Sequence, residues 1–333
     1  TDPQVRAGLL RVDSNWPLAL RDLTVAGNDV HLAFTNRAPI FTQTVFTGLA
    51  LSLLMTEHDV SVQGLFVANN TIFIALSNDA AIEGCVLAFS AGSSVAQWEI
   101  SDVQFLHNRV TLHSQQRLAL VVNGGLLFAP AASLARVTAE HNKLRTESPA
   151  EQFESVTVSG AMIWLGFGVL REYVHSFQSL VLDTNEVYVR AADEVAVNGA
   201  GLVIAADQAI PRLPRALSLS FRNCSCARHV VNAVANREAT VQGGCLFVSE
   251  AGDSLTQLDS SFFSSIVVSA TALQSSVIGS AVLVHRLSRD VDTRHELAVT
   301  RCVFALSSTH FAVGHSGGGT LAVLDELGGA DTA

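Results

Sequence analysis

The sequence predicts an all-β chain wound as a right-handed parallel β-helix. Three observations predict it. A nine-residue template recurs in eight copies, a glycine-opened apolar segment lies between successive copies, and the local patterning is that of strands.

The template places apolar or core-type residues at positions one, four and six, and often Asn at position nine. Its copies begin at Leu20, Val62, Ile100, Leu134, Leu182, Phe221, Leu258 and Val299, between 34 and 48 residues apart. A unit of about 40 residues cannot bury its apolar side alone and must stack on its neighbours. The intervening signal is Gly84-Cys85-Val86, Gly124-Gly125-Leu126, Gly199-Ala200-Gly201-Leu202 or Gly243-Gly244-Cys245-Leu246, so each repeat has two half-units of roughly twenty residues. The sequence leaves open whether one coil is a whole repeat or a half-unit.

Strand character comes from period-two alternation in Val60-Ser61-Val62 and Leu217-Ser218-Leu219-Ser220-Phe221. Short continuous apolar runs such as Thr71–Leu76 suit strands covered on both sides. One stretch, Phe167–Phe177, reads as an amphipathic helix within an insertion. Stacked coils lie about 4.8 Å apart, so equivalent residues superpose. Asn28, Asn70, Asn108 and Asn142 then form a corner ladder in which each side chain bonds the neighbouring turn, and Asn tolerates the left-handed backbone of a corner. From Leu182 onward the corner carries Arg190, His229, Ile266 and Ser307, so the ladder ends at Asn142. Asn185 and Ser261 interrupt the medium-sized stack at position four. The first half is thus expected to be the more regular, with recognition in the second. A β-propeller shares the period but brings spaced Trp and Tyr, and the chain has three Trp and two Tyr.

Segments FRNCSCARH from Phe221 and VTRCVFALS from Val299, followed by GGCLFV or SGGGTLAV, resemble the paired repeats of polymorphic outer-membrane-protein-like domains. They are also similar to repeats of trypanosome dispersed-gene-family surface proteins. No copy carries Cys, Phe and Asn together. The resemblance implies a pectin-lyase-like parallel β-helix at a cell surface, used for adhesion or display, and implies no catalytic residue.

The chain has 333 residues, 49% of them hydrophobic and 15% charged, enough for a long continuous core and expected as a single β-helix domain over 1–333, a segment of a longer protein. A net charge of −10 with one lysine, Lys143, disfavours nucleic-acid partners. No apolar run reaches bilayer length. The five cysteines occupy template positions or follow the half-unit glycine and read as small core residues; a disulfide between stacked equivalents would leave an odd thiol. His107, His141 and His229 fall at the corner and read as solvated. No spacing indicates a metal site or cofactor.

Two sequons, at Asn69 and Asn223, are candidate glycosylation sites at predicted corners. The charged window holding His285, Arg289, Asp290, Asp292 and His295 is the candidate ligand loop, and 143–155 a second insertion. The expected function is that of a non-catalytic extracellular or cell-surface stalk, structural and adhesive, that binds a glycan or host protein. The alternative is a β-helix polysaccharide lyase or glycoside hydrolase, which needs grouped carboxylates that the linear sequence does not display.

Overall fold

The computed structural model describes residues 4–5, 10–14, 18–33, 44–48, 51–55, 60–77, 79–91, 98–114, 118–130, 132–147, 153–167, 172–206, 216–251, 253–288, 295–305, 307–311, 315–317 and 320–327. These residues form an all-β parallel solenoid. One coil runs through Trp98–Leu106, Arg109–Ser114, Leu118–Asn123 and Leu127–Pro130, here the template, second, third and fourth faces. The next coil opens at Ala132–Glu140, paired in parallel with Trp98–Leu106 so that Ile100 lies beside Leu134. One repeat is therefore one coil, and its half-units are the Asn-cornered and glycine-cornered halves. The second face is eight strands deep and the third and fourth are each nine. Parallel pairing excludes the propeller, whose blades are antiparallel.

Along each strand, alternate side chains enter the interior, as in Thr71–Leu76, where Ile72, Ile74 and Leu76 are buried. The core is a set of vertical stacks. Phe177 lies on Phe221, with ring centroids 4.5 Å apart, and Phe263 lies on Phe304 at 5.1 Å.

Corners are set by left-handed residues. Among the described residues all thirteen non-glycine residues of positive φ fall at two places, template position three (Asp22, Asp102, Arg136) or the position before the ladder (Asn69, His107, His141) and their equivalents in other coils. The side chains of Asp22, Asn69, His107 and His141 are exposed there, so any short polar or flexible residue serves. The third corner differs. At Gly124, φ +70°, a Cβ would come 2.1 Å from the carbonyl oxygen of Leu127, so backbone approach demands glycine.

The Asn corner carries the polar ladder. The backbone N–H and Nδ2 of Asn70 both donate to Oδ1 of Asn108, at 3.2 and 2.9 Å, and those of Asn108 to Asn142 at 3.0 Å each. The second Nδ2 proton of Asn108 goes back to the carbonyl of Val67, and that of Asn142 to Phe105. Asn70, Asn108 and Asn142 are buried, at no more than 1% exposure, and all their side-chain donors have acceptors.

Two sequence expectations are corrected here. The ladder does not end at Asn142, because Asn142 donates twice to Oδ1 of Asn185, which itself donates to the carbonyl of Ala139. Copy five therefore begins at Phe177, Leu180 fills position four, and Arg190 ends a second-face strand instead of occupying the corner. The Phe167–Phe177 helix is also absent from the described part of that segment. Glu172–Gln178 is a strand with His175 and Phe177 buried and Val174 exposed, a period of two that the short window disguised; residues 168–171 lie outside the described residues.

The five cysteines separate into one pair and three thiols. Cys226 and Cys245 form a disulfide that joins non-equivalent positions, the template face and the residue after the glycine corner, across the interior of the solenoid. Stacked equivalents do not pair. Cys85 and Cys224 are buried thiols, and burial pushes them up to about 12 and about 11.

Replacing Asn108 by Ala orphans two buried donors of Asn70 and removes a donor from Oδ1 of Asn142, and should cost roughly 3 kcal/mol or more in urea unfolding. Asn28→Ala, at the end of the ladder, removes one donor and should cost about 1 kcal/mol; equal losses would contradict the ladder. The disulfide closes a 19-residue separation, so Cys226→Ala with Cys245→Ala should lower stability by about 3 kcal/mol on the chain-entropy estimate.

Candidate functional site

The second face presents two outward columns, because alternate residues of each strand point away from the core. The registers Thr71↔Arg109, Arg109↔Lys143 and Lys143↔Glu186 set the first column. His31↔Phe73, Phe73↔Thr111, Thr111↔Arg145, Arg145↔Tyr188 and Tyr188↔Asn232 set the second. Together they line a shallow groove of about 440 Å³ that crosses the strands along the solenoid axis. Thr111, largely buried, is low between Phe73 and Arg145 and makes the surface concave.

The groove is cationic and aromatic in a chain of net charge −10. Nζ of Lys143 sits 2.8 Å from both carboxylate oxygens of Glu186, one coil away. The guanidinium carbon of Arg145 lies 5.2 Å from the centroid of the Tyr188 ring. Arg109 is exposed and has no carboxylate partner among the described residues. At the other end Phe73 packs between two imidazoles, His31 at 5.6 Å and His113 at 5.9 Å. Such a surface offers charge-assisted hydrogen bonds and flat apolar faces at coil spacing.

Elsewhere, ionisable groups are tied to the stacking. The guanidinium of Arg136 donates to Asp102 in the previous coil and holds that carboxyl below its usual range; Arg301 does the same for Asp259. Arg228 pairs with Asp183, and Arg237 with Glu194. His107 and His141, in adjacent coils, are exposed and stacked with centroids 4.9 Å apart. Among the described residues no group of three His, Cys, Asp or Glu could hold a metal ion, and no helix is long and apolar enough to cross a membrane.

His229 is not solvated. It occupies the next rung of the ladder, fully buried, with Nε2 3.1 Å from Nδ2 of Asn185. Oδ1 of Asn185 is already taken by Asn142, so Nε2 must accept and the ring proton belongs on Nδ1. Burial pushes the imidazole down to about 4, against the Asp183 carboxylate and the Leu182 carbonyl. His175, also buried, is lowered to about 4 for the same reason.

The residues singled out from the sequence fall in several places. Asn28, Asn70, Asn108 and Asn142 form the ladder. Asn69 and Asn223 are exposed corner residues, each with positive φ, where a glycan would meet solvent. The charged window does not form an isolated loop throughout. His285 lies in the fourth-face strand Val282–Ser288, its ring against Phe247, and His295 opens the template strand His295–Thr300 with Nδ1 2.6 Å from Oγ of Ser254. Arg289, Asp290 and Asp292 lie outside the described residues. The 143–155 stretch is no insertion over its first part, since Lys143–Glu147 is a regular second-face strand. The groove residues went unnoticed because Arg109, Arg145 and Tyr188 lie 36 and 43 residues apart in sequence. In register below Asn108, Asn142 and Asn185, Arg109 falls in line with Lys143, and Arg145 with Tyr188.

The fold and groove define a parallel β-solenoid with a polar, cation-bearing lateral face. Comparison of the chain with protein-family models, curated proteins and solved structures returned no match.

Native His229 and His175 stay neutral to about pH 4, whereas the unfolded chain takes up these protons near the ordinary value of about 6.5. Their contribution to stability is therefore complete above about pH 6.5 and is lost as the pH falls toward 4, each by an amount of the order of 1–3 kcal/mol. His229→Asn, which supplies the ladder with a non-titrating acceptor, should flatten that slope in urea midpoints measured between pH 7 and 4. An unchanged slope would refute the assignment.

Proposed function

We propose that this chain is a non-catalytic, extracellular or cell-surface β-solenoid, a structural and adhesive stalk that presents a lateral face to a glycan or protein ligand. The observation that carries the reading is the groove of Arg109, Lys143, Arg145, Phe73 and Tyr188, assembled from separate coils of a continuous rod. A face of this kind binds by additive contacts along its length, with strands holding the side chains in fixed spacing.

Three further observations support it. The Cys226–Cys245 disulfide is the chemistry of an oxidising compartment. Both sequon asparagines stand on exposed corners. Four titrating groups with shifted behaviour serve the scaffold: Asp102 and Asp259 are held ionised by arginines of the adjacent coil, and His175 and His229 are held neutral by burial. None of these four is poised to exchange protons near neutral pH.

The chain, labelled and applied to cultured cells, should bind saturably, and binding should fall after enzymatic removal of surface glycans or mild proteolysis. Incubated with acidic polysaccharides, it should release no reducing ends and no unsaturated uronate. Chain-dependent depolymerisation would overturn the non-catalytic reading, and lack of binding to any cell type would overturn the adhesive one.

A further inference from the structure

We infer that the second-face groove takes a linear acidic glycan, laid along the solenoid axis with an anionic group on Arg109 and a sugar face on Tyr188. This rests on the adhesive reading above and names the ligand class. The argument is one of charge and spacing. The chain is acidic overall, yet Arg109, Lys143 and Arg145 meet within two adjacent strands, with Glu186 the carboxylate set against Lys143. Lys143 is thereby neutralised, and the exposed guanidinium of Arg109 supplies a planar donor fork suited to carboxylate or sulfate.

The rings fix the rest. Tyr188 lies beyond Arg145 and Phe73 lies on the far side of Thr111, so an aromatic surface flanks the cations at each end of the same column. Strands about 4.8 Å apart place successive side chains at about the span of one pyranose ring. A polymer with anionic groups on a flat ring repeat can touch cation and aromatic in consecutive coils, while the low Thr111 gives it depth. A neutral glycan would leave Arg109 without an ionic partner. A nucleic acid would bring a denser line of charge toward a body of net charge −10.

The test measures binding of the folded chain to a heparan sulfate octasaccharide and to a polygalacturonate octasaccharide, which separate sulfate from carboxylate recognition. Cello-octaose and a dT oligonucleotide are the comparisons. At least one acidic glycan should bind, more weakly as salt rises, and more tightly than either comparison. Arg109→Ala should weaken that binding about tenfold and Tyr188→Ala about fivefold; both side chains reach solvent, and circular dichroism checks that the variants fold. Acidic-glycan binding unchanged in the double variant would overturn the site. Preference for cello-octaose or dT would overturn the ligand class. If the wild type binds cells through the groove but no acidic glycan, the adhesive reading survives and this inference falls. If it binds neither cells nor glycans, both fall.

Discussion

A side-chain amide buried inside a β-rod needs acceptors for both protons and donors for its oxygen, and here the next coil's amide oxygen takes one proton, a backbone carbonyl takes the other, and the preceding coil's Asn supplies the donors. Asn70, Asn108, Asn142 and Asn185 meet that requirement by stacking, and the half-buried Asn28 ends the ladder with one side-chain bond. A coil shifted by one residue would bury unsatisfied polar atoms and turn its core residues outward. The ladder thus sets register at one corner, and register aligns everything else. It superposes Phe177 on Phe221 and places Arg145 beside Tyr188. The lateral groove follows from the same alignment.

The glycine corner acts differently. It specifies by exclusion, because the carbonyl of Leu127 occupies the space a Cβ at Gly124 would need. The other corners use left-handed residues of varied chemistry, and their exposed side chains are open to other uses. Several carry ion pairs between coils, such as Asp102 with Arg136 and Asp259 with Arg301. Exposed pairs of this kind add little stability each. They do select against a neighbour in the wrong register. Past Asn185 the ladder changes chemistry at His229, which keeps the acceptor role and introduces a proton-sensitive rung.

Much of the fold was legible because stacking forces repetition. The template positions, the Asn corner through Asn142 and the glycine corner all have local signatures. Copy five was misaligned because Leu182-Asp183-Thr184-Asn185 imitates the start of a template whose end it is. The discriminating sign was Asn185 itself, preceded by a left-handed residue, Thr184, as Asn142 is by His141. The Phe167–Phe177 window combined helical spacing with the alternation of a strand, and pairing with Ala216–Arg222 decided for the strand. The candidate site was hardly legible. Its residues are ordinary one by one, and they become a site only across coils, where no window along the chain can see them.

The claim on which the account rests is that the corner asparagines are interior, fully bonded rungs. Hydrogen exchange of the side-chain amides, followed by NMR on the native chain, tests it most directly. The Nδ2 protons of Asn70, Asn108, Asn142 and Asn185 should be resolved and exchange many-fold more slowly than those of exposed Asn69. Exchange at the rate of Asn69 would show that these side chains reach water, and would contradict the ladder.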